Sequence, residues 1–372
     1  MANPQRYPAG ISTFPIQHIQ NTFPTTTNQW QISKGDDFIP FRQSTDYTAT
    51  TGGTGATAAA FPWVGGAVKV ISGSTTPFTS FEALGANSMM IIPGNQTWFD
   101  TRIGAPTGTM VNPTNDSVIY TGFFDSVSPL TATNGLYFIK PAGGTSVNFV
   151  LLKGGVATTF SNIGDLAKPS GVFGDATAVP AVLAFNTSGT TFTNVTVTTA
   201  GSGYRTAPLI VPFGTAGSGG AVYAQLGGAT QGTGQGSGAP INSPYIIGAG
   251  SGYTAGTLGA DIIPWINFQM WYTGKGNLMV GINGRTLLNL GLGGQGIAVP
   301  GNTYNLATVG FNSFNFTGTA LTTGVAPVQP TPGDFYHAAP QSTMQLAFGL
   351  VGTTLNNRAM FVEEINIATE LN

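Results

Sequence analysis

The sequence predicts an all-β protein, a jelly-roll sandwich in two halves that is interrupted by a small β-rich insertion and preceded by an extended N-terminal arm. Short apolar segments bounded by Gly, Pro, Asn or Ser recur along most of the chain, and helix signals are scarce. The pentapeptide Ala-Gly-Ser-Gly-Tyr occurs at 200–204 and again at 249–253, around the most Gly-rich stretch. The predicted divisions are the arm at 1–60, the first half at 61–186, the insertion at 187–260 and the second half at 261–372.

The predicted arm has repeated Pro and Thr and little hydrophobic periodicity. Ordering a backbone costs about 1–2 kcal/mol per residue, so such a segment becomes ordered only by lying on another surface. Aromatic side chains recur along it and are the candidate contacts with a partner, namely Phe14, Phe23, Trp30, Phe38 and Phe41. The alternative is a flexible tail that packs on no surface.

The first half reads as strands separated by turn residues. The predicted strands are 64–71, 89–92, 98–103, 118–124, 135–139 and 147–152. Two short helical turns are predicted among them. One covers 80–84, opened by Thr79 with Glu82 three residues later and closed by Gly85, and the other lies near 161–167.

The second half also consists of short apolar segments separated by turn residues. Between 262 and 272, Trp265, Asn267, Gln269 and Trp271 alternate with Ile266, Phe268, Met270 and Tyr272, which predicts a strand with one dry and one mixed face. The dipeptide at 283–284, Asn-Gly, predicts a tight type I′ hairpin. The further predicted strands are 278–282, 285–290, 344–350 and 360–368, with 192–198, 209–213 and 221–226 in the insertion.

Charge is unusually rare: only 7% of residues are Asp, Glu, Lys or Arg, where about a quarter is usual. An uncharged polar surface costs little to desolvate and suits tight assembly. Twelve basic residues spread thinly form no patch for phosphates, so nucleic acid is not an expected partner. The chain has no apolar run long enough for a membrane and no leader-like start, which predicts a soluble protein.

No catalytic signature is evident in the sequence. Glycoside hydrolysis needs two carboxylates, and of the four Glu, Glu363 and Glu364 are consecutive, so that on a regular strand they point to opposite faces. Asp334 and His337 lie in a Pro-rich loop without an evident third ligand, and cysteine is absent. The expectation is a protein that is not an enzyme and holds neither cofactor nor metal.

Aromatic residues are the candidate glycan contacts. In the repeated pentapeptide, Tyr204 and Tyr253 are predicted to cap a turn by packing, with stacking on a carbohydrate as the alternative. Trp265 and Trp271 share one face of their strand, and we expect them to contact either the second sheet or a partner.

Several segments carry a resemblance to known families. Thr121-Gly-Phe-Phe-Asp-Ser126, Asn134-Gly-Leu-Tyr-Phe-Ile139, 265–272 and 278–284 resemble the concanavalin A-like jelly roll. The segments 3–10 and 65–70 are similar to jelly-roll virion proteins of tailed bacteriophages, and the repeat, with Thr206-Ala-Pro208 after its first copy, resembles a module common in phage structural proteins. The chain lacks the metal loop of legume-type lectins and the carboxylates of the glucanases.

The resemblance implies a non-enzymatic virion structural protein that decorates or cements the outside of a phage head. Its partners would be the major capsid protein and itself, as a homo-oligomer for which a trimer is expected. It would be made in the host cytoplasm and lie on the capsid surface. The alternative is an adhesin on a tail or head fibre that binds a host surface glycan, and a secreted carbohydrate-binding module is disfavoured by the leaderless start.

Overall fold

The structure is a computed structural model that describes residues 30–36, 47–61, 63, 66–75, 79–84, 96–106, 117–213, 218–227, 240–253, 257–272, 278–290, 344–352 and 359–370. Those residues are all-β, without a helix. Within these ranges, accordingly, no helix has the length and apolar character needed to cross a membrane.

The described residues form twenty-one strands. In chain order they are β1 (Trp30–Asp36), β2 (Tyr47–Gly52), β3 (Thr57–Phe61), β4 (Ala67–Ile71), β5 (Thr79–Leu84), β6 (Thr97–Gly104), β7 (Ser117–Phe124), β8 (Gly135–Lys140), β9 (Ser146–Lys153), β10 (Val156–Asp165), β11 (Val182–Ser188), β12 (Thr191–Thr199), β13 (Leu209–Phe213), β14 (Ser218–Leu226), β15 (Ile241–Ser251), β16 (Thr257–Ile263), β17 (Ile266–Tyr272), β18 (Leu278–Ile282), β19 (Arg285–Leu290), β20 (Gln345–Gly352) and β21 (Ala359–Glu370).

Two antiparallel sheets form a jelly-roll sandwich. The eight-stranded sheet has the order β19-β18-β17-β6-β21-β4-β3, with β1 also paired to β21. The seven-stranded sheet has the order β10-β9-β8-β7-β20-β5-β2. The chain passes from one sheet to the other between β4, β5, β6 and β7, as a jelly roll requires. The predicted fold class is confirmed.

The main core lies between these two sheets and is filled by the inward-facing residues of both. Phe268 of the eight-stranded sheet meets Phe138 of the seven-stranded sheet, with ring centroids 4.9 Å apart. Phe99 meets Phe123 at 5.2 Å in the same way. The alternation predicted for 265–272 is confirmed, because the residues of its dry face all belong to this core.

The remaining six strands form a separate sheet, β12-β11-β16-β13-β14-β15, with its own core. Its two edge strands lie side by side: the Ile241 N–H donates to the Ala200 carbonyl at 2.9 Å, and the Tyr253 N–H donates to the Thr190 carbonyl at 3.0 Å. The sheet is therefore nearly closed into a small barrel. Exchanging β11, β12 and β13 with β14, β15 and β16 reproduces the strand order in reverse, so the barrel is an internal duplication with two-fold pseudosymmetry.

Local helix signals were wrong in two places. Residues 79–84 form strand β5, because pairing with β2 on one side and β20 on the other outweighs the capping pattern. The segment near 161–167 ends strand β10 instead of forming a helical turn, because 164–165 pair with 146–147 of β9. Within the predicted arm, β1, β2 and β3 belong to the sandwich sheets.

Candidate functional site

Polar and charged side chains gather on the outer face of the eight-stranded sheet, the face turned away from the seven-stranded sheet. The register of β17, β6 and β21 sets them in rows. Trp98 lies opposite Trp271 and Ala368, Asp100 lies opposite Gln269 and Asn366, and Arg102 lies opposite Asn267 and Glu364. We call Asp100, Arg102, Asn267, Gln269, Glu363, Glu364 and Asn366 the polar cluster.

Arg102 is the positive centre of the polar cluster. Its guanidinium forms an ion pair of 2.9 Å with Glu363 and a longer one of 3.8 Å with Glu364. All three side chains are partly exposed, at 21%, 15% and 12% respectively. Burial would lower the pKa of Arg102, but the two glutamates and Asp100 together raise it, so the guanidinium stays charged. A solute can therefore reach the cluster.

The prediction that Glu363 and Glu364 point to opposite faces is wrong. The register of β21 against β6 shifts between Val362 and Glu364, so this strand holds a β-bulge. A bulge adds one residue to a strand and breaks its alternation, which lets two consecutive side chains share a face. Both glutamates consequently reach Arg102.

The pKa of the Asp100 carboxyl is raised well above its ordinary value. Burial, and then the negative charge of Glu364, raise its pKa from 3.8 to about 7, against the opposing effects of Arg102 and of hydrogen bonds from Gln269 and Asn267. Those two side-chain amides donate to Oδ2 at 3.5 and 3.4 Å, which are weak contacts. Near neutral pH, Asp100 therefore exchanges a proton beside Glu364.

The predicted type I′ hairpin turn holds the amides of the cluster in place. Asn283 and Gly284 have φ of 51° and 79°, as that turn requires, so the prediction is confirmed. The Gly284 N–H donates to Gln269 Oε1 at 2.8 Å, which leaves the Nε2 group of Gln269 facing Asp100. The Asn283 Oδ1 accepts the backbone N–H of Asn267 at 2.9 Å.

Tryptophans flank the polar cluster at both ends of the strands. Trp98 and Trp271 stack at 5.7 Å with an interplanar angle of 11°, and the Trp271 Nε1 donates to Gln96 at 3.2 Å. At the other end, Trp63 and Trp265 lie 5.7 Å apart, and the Trp63 Nε1 donates to Glu363 at 3.1 Å. The two tryptophan pairs are six residues apart along β6, which corresponds to roughly 20 Å of strand. The outer face thus carries an elongated polar strip between aromatic ends, in which Arg102, Glu363 and Glu364 are partly exposed and the tryptophans, Gln269 and Asn267 are buried.

The barrel supplies part of the second aromatic end. Leu209 and Ile263 of the barrel form one buried cluster with Trp63, Trp265 and Phe361 of the sandwich side. Trp63 also contacts Tyr223 of the barrel at 5.7 Å. The insertion is therefore packed next to the polar cluster.

All four predicted glycan-stacking residues are buried. Tyr204 and Tyr253 are 2% and 5% exposed, and their hydroxyls accept the backbone N–H groups of Ala181 at 2.8 Å and of Gly220 at 3.0 Å. Trp265 is buried at the barrel contact. Trp271, 7% exposed, stacks on Trp98 at the end of the polar cluster. The rings of all four residues thus pack within the protein, as the packing interpretation of the two tyrosines expected, and glycan stacking by them stays a prediction.

The predicted arm contacts lie largely outside the described residues. This applies to Phe14, Phe23, Phe38 and Phe41, and also to Asp334 and His337. Trp30 is the first residue of β1, where it pairs with Glu370. Among the described residues, no group of His, Asp and Glu could hold a metal ion.

Sequence reasoning missed Asp100, Arg102, Gln269 and Asn267 as site residues. Asp100 and Arg102 stand two apart on a predicted strand, so they share a face. That face could have been flagged as charged within an otherwise apolar strand. Glu363, the nearer ion-pair partner of Arg102, lies 261 residues further along the chain, which no local pattern reveals.

Comparison with known proteins gives likenesses of fold only. No protein-family model matches the chain, and no curated protein matches it either. Among solved structures, it is similar to an endo-1,3-β-glucanase from Streptomyces sioyaensis (TM-score 0.39, 8% identity, covering 94% of this chain and 99% of that one). A carbohydrate esterase from the Shiga toxin-encoding bacteriophage phi24B (0.34, 8%, 91% and 98%) and an endo-β-1,4-glucuronan lyase from the fungus Trichoderma reesei (0.31, 8%, 91% and 95%) are similar too.

The expectation of a non-enzymatic protein that decorates a capsid is not upheld by these neighbours. All three are named for enzymatic action on carbohydrates. At 8% identity and with TM-scores of 0.31 to 0.39 these likenesses say nothing about activity, and one fold hosts many activities. What this chain does must therefore be argued from its own side chains.

Proposed function

We propose that the chain is a carbohydrate-active enzyme that binds a neutral glycan along the polar cluster and hydrolyses a glycosidic bond there. Asp100 is the general acid and Glu364 the second carboxylate. The observation that carries the proposal is the position of Asp100 and Glu364 on neighbouring strands of one face, where burial and then the charge of Glu364 raise the pKa of Asp100. Two carboxyls whose environments differ in this way are what acid and base catalysis at a sugar requires.

The spacing of the two carboxyls suits this chemistry. Glu364 lies opposite Arg102, two residues from Asp100 on β6, so Asp100 and Glu364 are diagonal neighbours on adjacent strands. Such neighbours have β-carbons roughly 7 Å apart, so the two side chains start from adjacent strands on the same face. The proposed mechanism places one water molecule between their carboxyls. Protonated Asp100 would donate to the glycosidic oxygen as its bond to the anomeric carbon breaks. Glu364 would accept the proton of the water that attacks that carbon.

The other cluster residues bind and orient. The partly exposed side-chain amide of Asn366 offers a donor and an acceptor of the kind that sugar hydroxyls need, whereas the buried amides of Gln269 and Asn267 orient Asp100. Arg102 and Asn366 hold Glu364, the latter through an Nδ2 hydrogen bond of 2.8 Å. With Asp100 protonated, one arginine faces two glutamates, so the cluster is net negative and repels acidic polymers.

The proposal is tested by release of reducing ends from four soluble polymers: β-1,3-glucan, mixed-linkage β-glucan, xylan and, as an acidic comparator, polyglucuronate. We expect cleavage of at least one neutral polymer and none of polyglucuronate. Asp100→Asn and Glu364→Gln should each slow cleavage by about a hundredfold or more. Asp125→Asn is the matched control, because that carboxylate is tied to Thr133 and Asn134 in a distant loop.

The pH profile and product add two further readouts. Cleavage should fall as the pH rises through about 7, because Asp100 then loses the proton it donates. The first product should have the anomeric configuration opposite to that of the substrate, since one water acts between the carboxyls. No cleavage of the neutral polymers, or full activity of Asp100→Asn, would contradict the proposal.

A further inference from the structure

A row of aromatic rings leads from the surface of the barrel to the polar cluster. Tyr245 is 50% exposed and lies 5.0 Å from Tyr223, ring to ring. Tyr223 is half-buried and lies 5.7 Å from Trp63, whose indole N–H donates to Glu363 at 3.1 Å. We call Tyr245, Tyr223 and Trp63 the aromatic row.

Cross-strand pairing builds the outer part of the row. Tyr223 of β14 lies directly opposite Tyr245 of β15, so both rings project from the same, outward face of the barrel. Ile246, next to Tyr245, packs instead against the barrel core. Neither β14 nor β15 contains a charged residue. The two strands that carry the tyrosines are therefore uncharged.

Packing of the barrel against the sandwich explains Trp63, which is 8% exposed, but does not explain Tyr245. Tyr245 is the ring of the row furthest from the sandwich, and half of its surface stays in solvent. An exposed tyrosine offers a rigid, amphipathic ring at a low cost in conformational entropy. The aromatic row is continuous with the polar cluster. A ligand on the row would therefore be a further part of the same molecule that the polar cluster binds.

We propose that the aromatic row is a second binding site, which takes the distal part of the same neutral glycan chain whose reacting bond lies at the polar cluster. This inference rests on the proposed function for the nature of its ligand. Sugar rings would stack on Tyr245 and on the exposed part of Tyr223, and the chain would pass over Trp63 to Glu363. The duplicated barrel would thus extend the substrate-binding surface and select long chains over short ones.

The test compares affinities for each neutral polymer named above and for its trisaccharide, by titration calorimetry on the full chain. To separate binding from turnover, every variant also carries Asp100→Asn. Tyr245→Ala should weaken binding of the polymer roughly two- to tenfold and leave that of the trisaccharide unchanged. Tyr245→Phe should restore the affinity. Val182→Ala is the control, because Val182 is equally exposed, at 53%, on another strand of the barrel.

The outcomes separate this inference from the proposed function. Unchanged polymer affinity in Tyr245→Ala, or an equal loss in Val182→Ala, would overturn the aromatic row while cleavage by the wild-type chain still stood. If the polymer binds in a way that depends on Tyr245 but is not cleaved, the aromatic row stands as a binding site and the chemistry assigned to Asp100 is wrong. Binding of no polymer would overturn both.

Discussion

Replacing Asp100 by Asn should change how the stability of the protein depends on pH. In the folded chain Asp100 has a pKa of about 7, whereas its ordinary value is 3.8. Between these two values the folded state binds a proton that the unfolded state has lost. Stability therefore falls as pH rises through this window. Asn has the shape of the protonated acid and no charge to lose, so the variant lacks this part of the pH dependence.

The magnitude follows from the gap between the two pKa values. A shift from 3.8 to about 7, at 1.36 kcal/mol per unit, corresponds to about 4 kcal/mol. Well below pH 3.8 the acid is neutral in both states, so wild type and variant differ only by their hydrogen bonds. Above pH 7 the wild type carries a poorly solvated charge. The stability of Asp100→Asn relative to wild type should thus rise by up to about 4 kcal/mol between about pH 4 and pH 8.

Urea unfolding followed by tryptophan fluorescence at the two pH values measures this difference, and a carbon-13 titration of the Asp100 carboxyl checks its cause. Asp125→Asn is a control of opposite sign. Burial raises the pKa of Asp125, but hydrogen bonds from Thr133 and Asn134 outweigh it and lower the pKa. That carboxylate stabilises the fold at neutral pH, and its contribution is lost as pH falls. Titration of Asp100 near pH 4, or parallel curves for wild type and Asp100→Asn, would refute the reasoning.

Three further substitutions test other contacts. Glu364→Gln removes a negative charge and should lower the pKa of Asp100, as read from the same carbon-13 titration; an unchanged value would mean that burial alone sets it. Tyr204→Phe leaves the buried Ala181 N–H without its acceptor and should cost about 1–3 kcal/mol in urea unfolding, against no change if water replaces the hydroxyl. Gly284→Ala places a side chain at φ 79° and should cost about 1–2 kcal/mol while slowing cleavage, since the turn holds an amide of the cluster; a stable, active variant would count against that role.

Much of the sandwich was predictable because its signals are local. The alternation from Ile266 to Tyr272 assigns each side chain to a face, and the structure confirms it. The Asn283-Gly284 turn fixes the register of its hairpin for the same reason. Where long-range pairing competes with a local signal, the local signal loses, as in the helical turn predicted at 80–84 that became the inner strand β5.

The candidate site was not predictable as a whole because it is assembled across strands far apart in sequence. Arg102 and Glu363 meet only because β21, at the end of the chain, is inserted beside β6. The repeated pentapeptide drew attention because repetition is visible in a sequence. In the structure its tyrosines tie the barrel together, each accepting one backbone N–H group.

The bulge in β21 has a signature that a stricter reading of the hydrophobic pattern would have caught. Met360 and Val362 face the main core with a spacing of two, and so do Ile365 and Ile367, but Val362 and Ile365 are three apart. A regular strand cannot bury both pairs on one face, so one extra residue must be accommodated between them. That residue falls at Glu363-Glu364, and both side chains are then turned outward. The same irregularity that keeps the isoleucines in the core thus brings a second carboxylate to Arg102, so the chemistry of the site depends on a break in alternation and not on alternation itself.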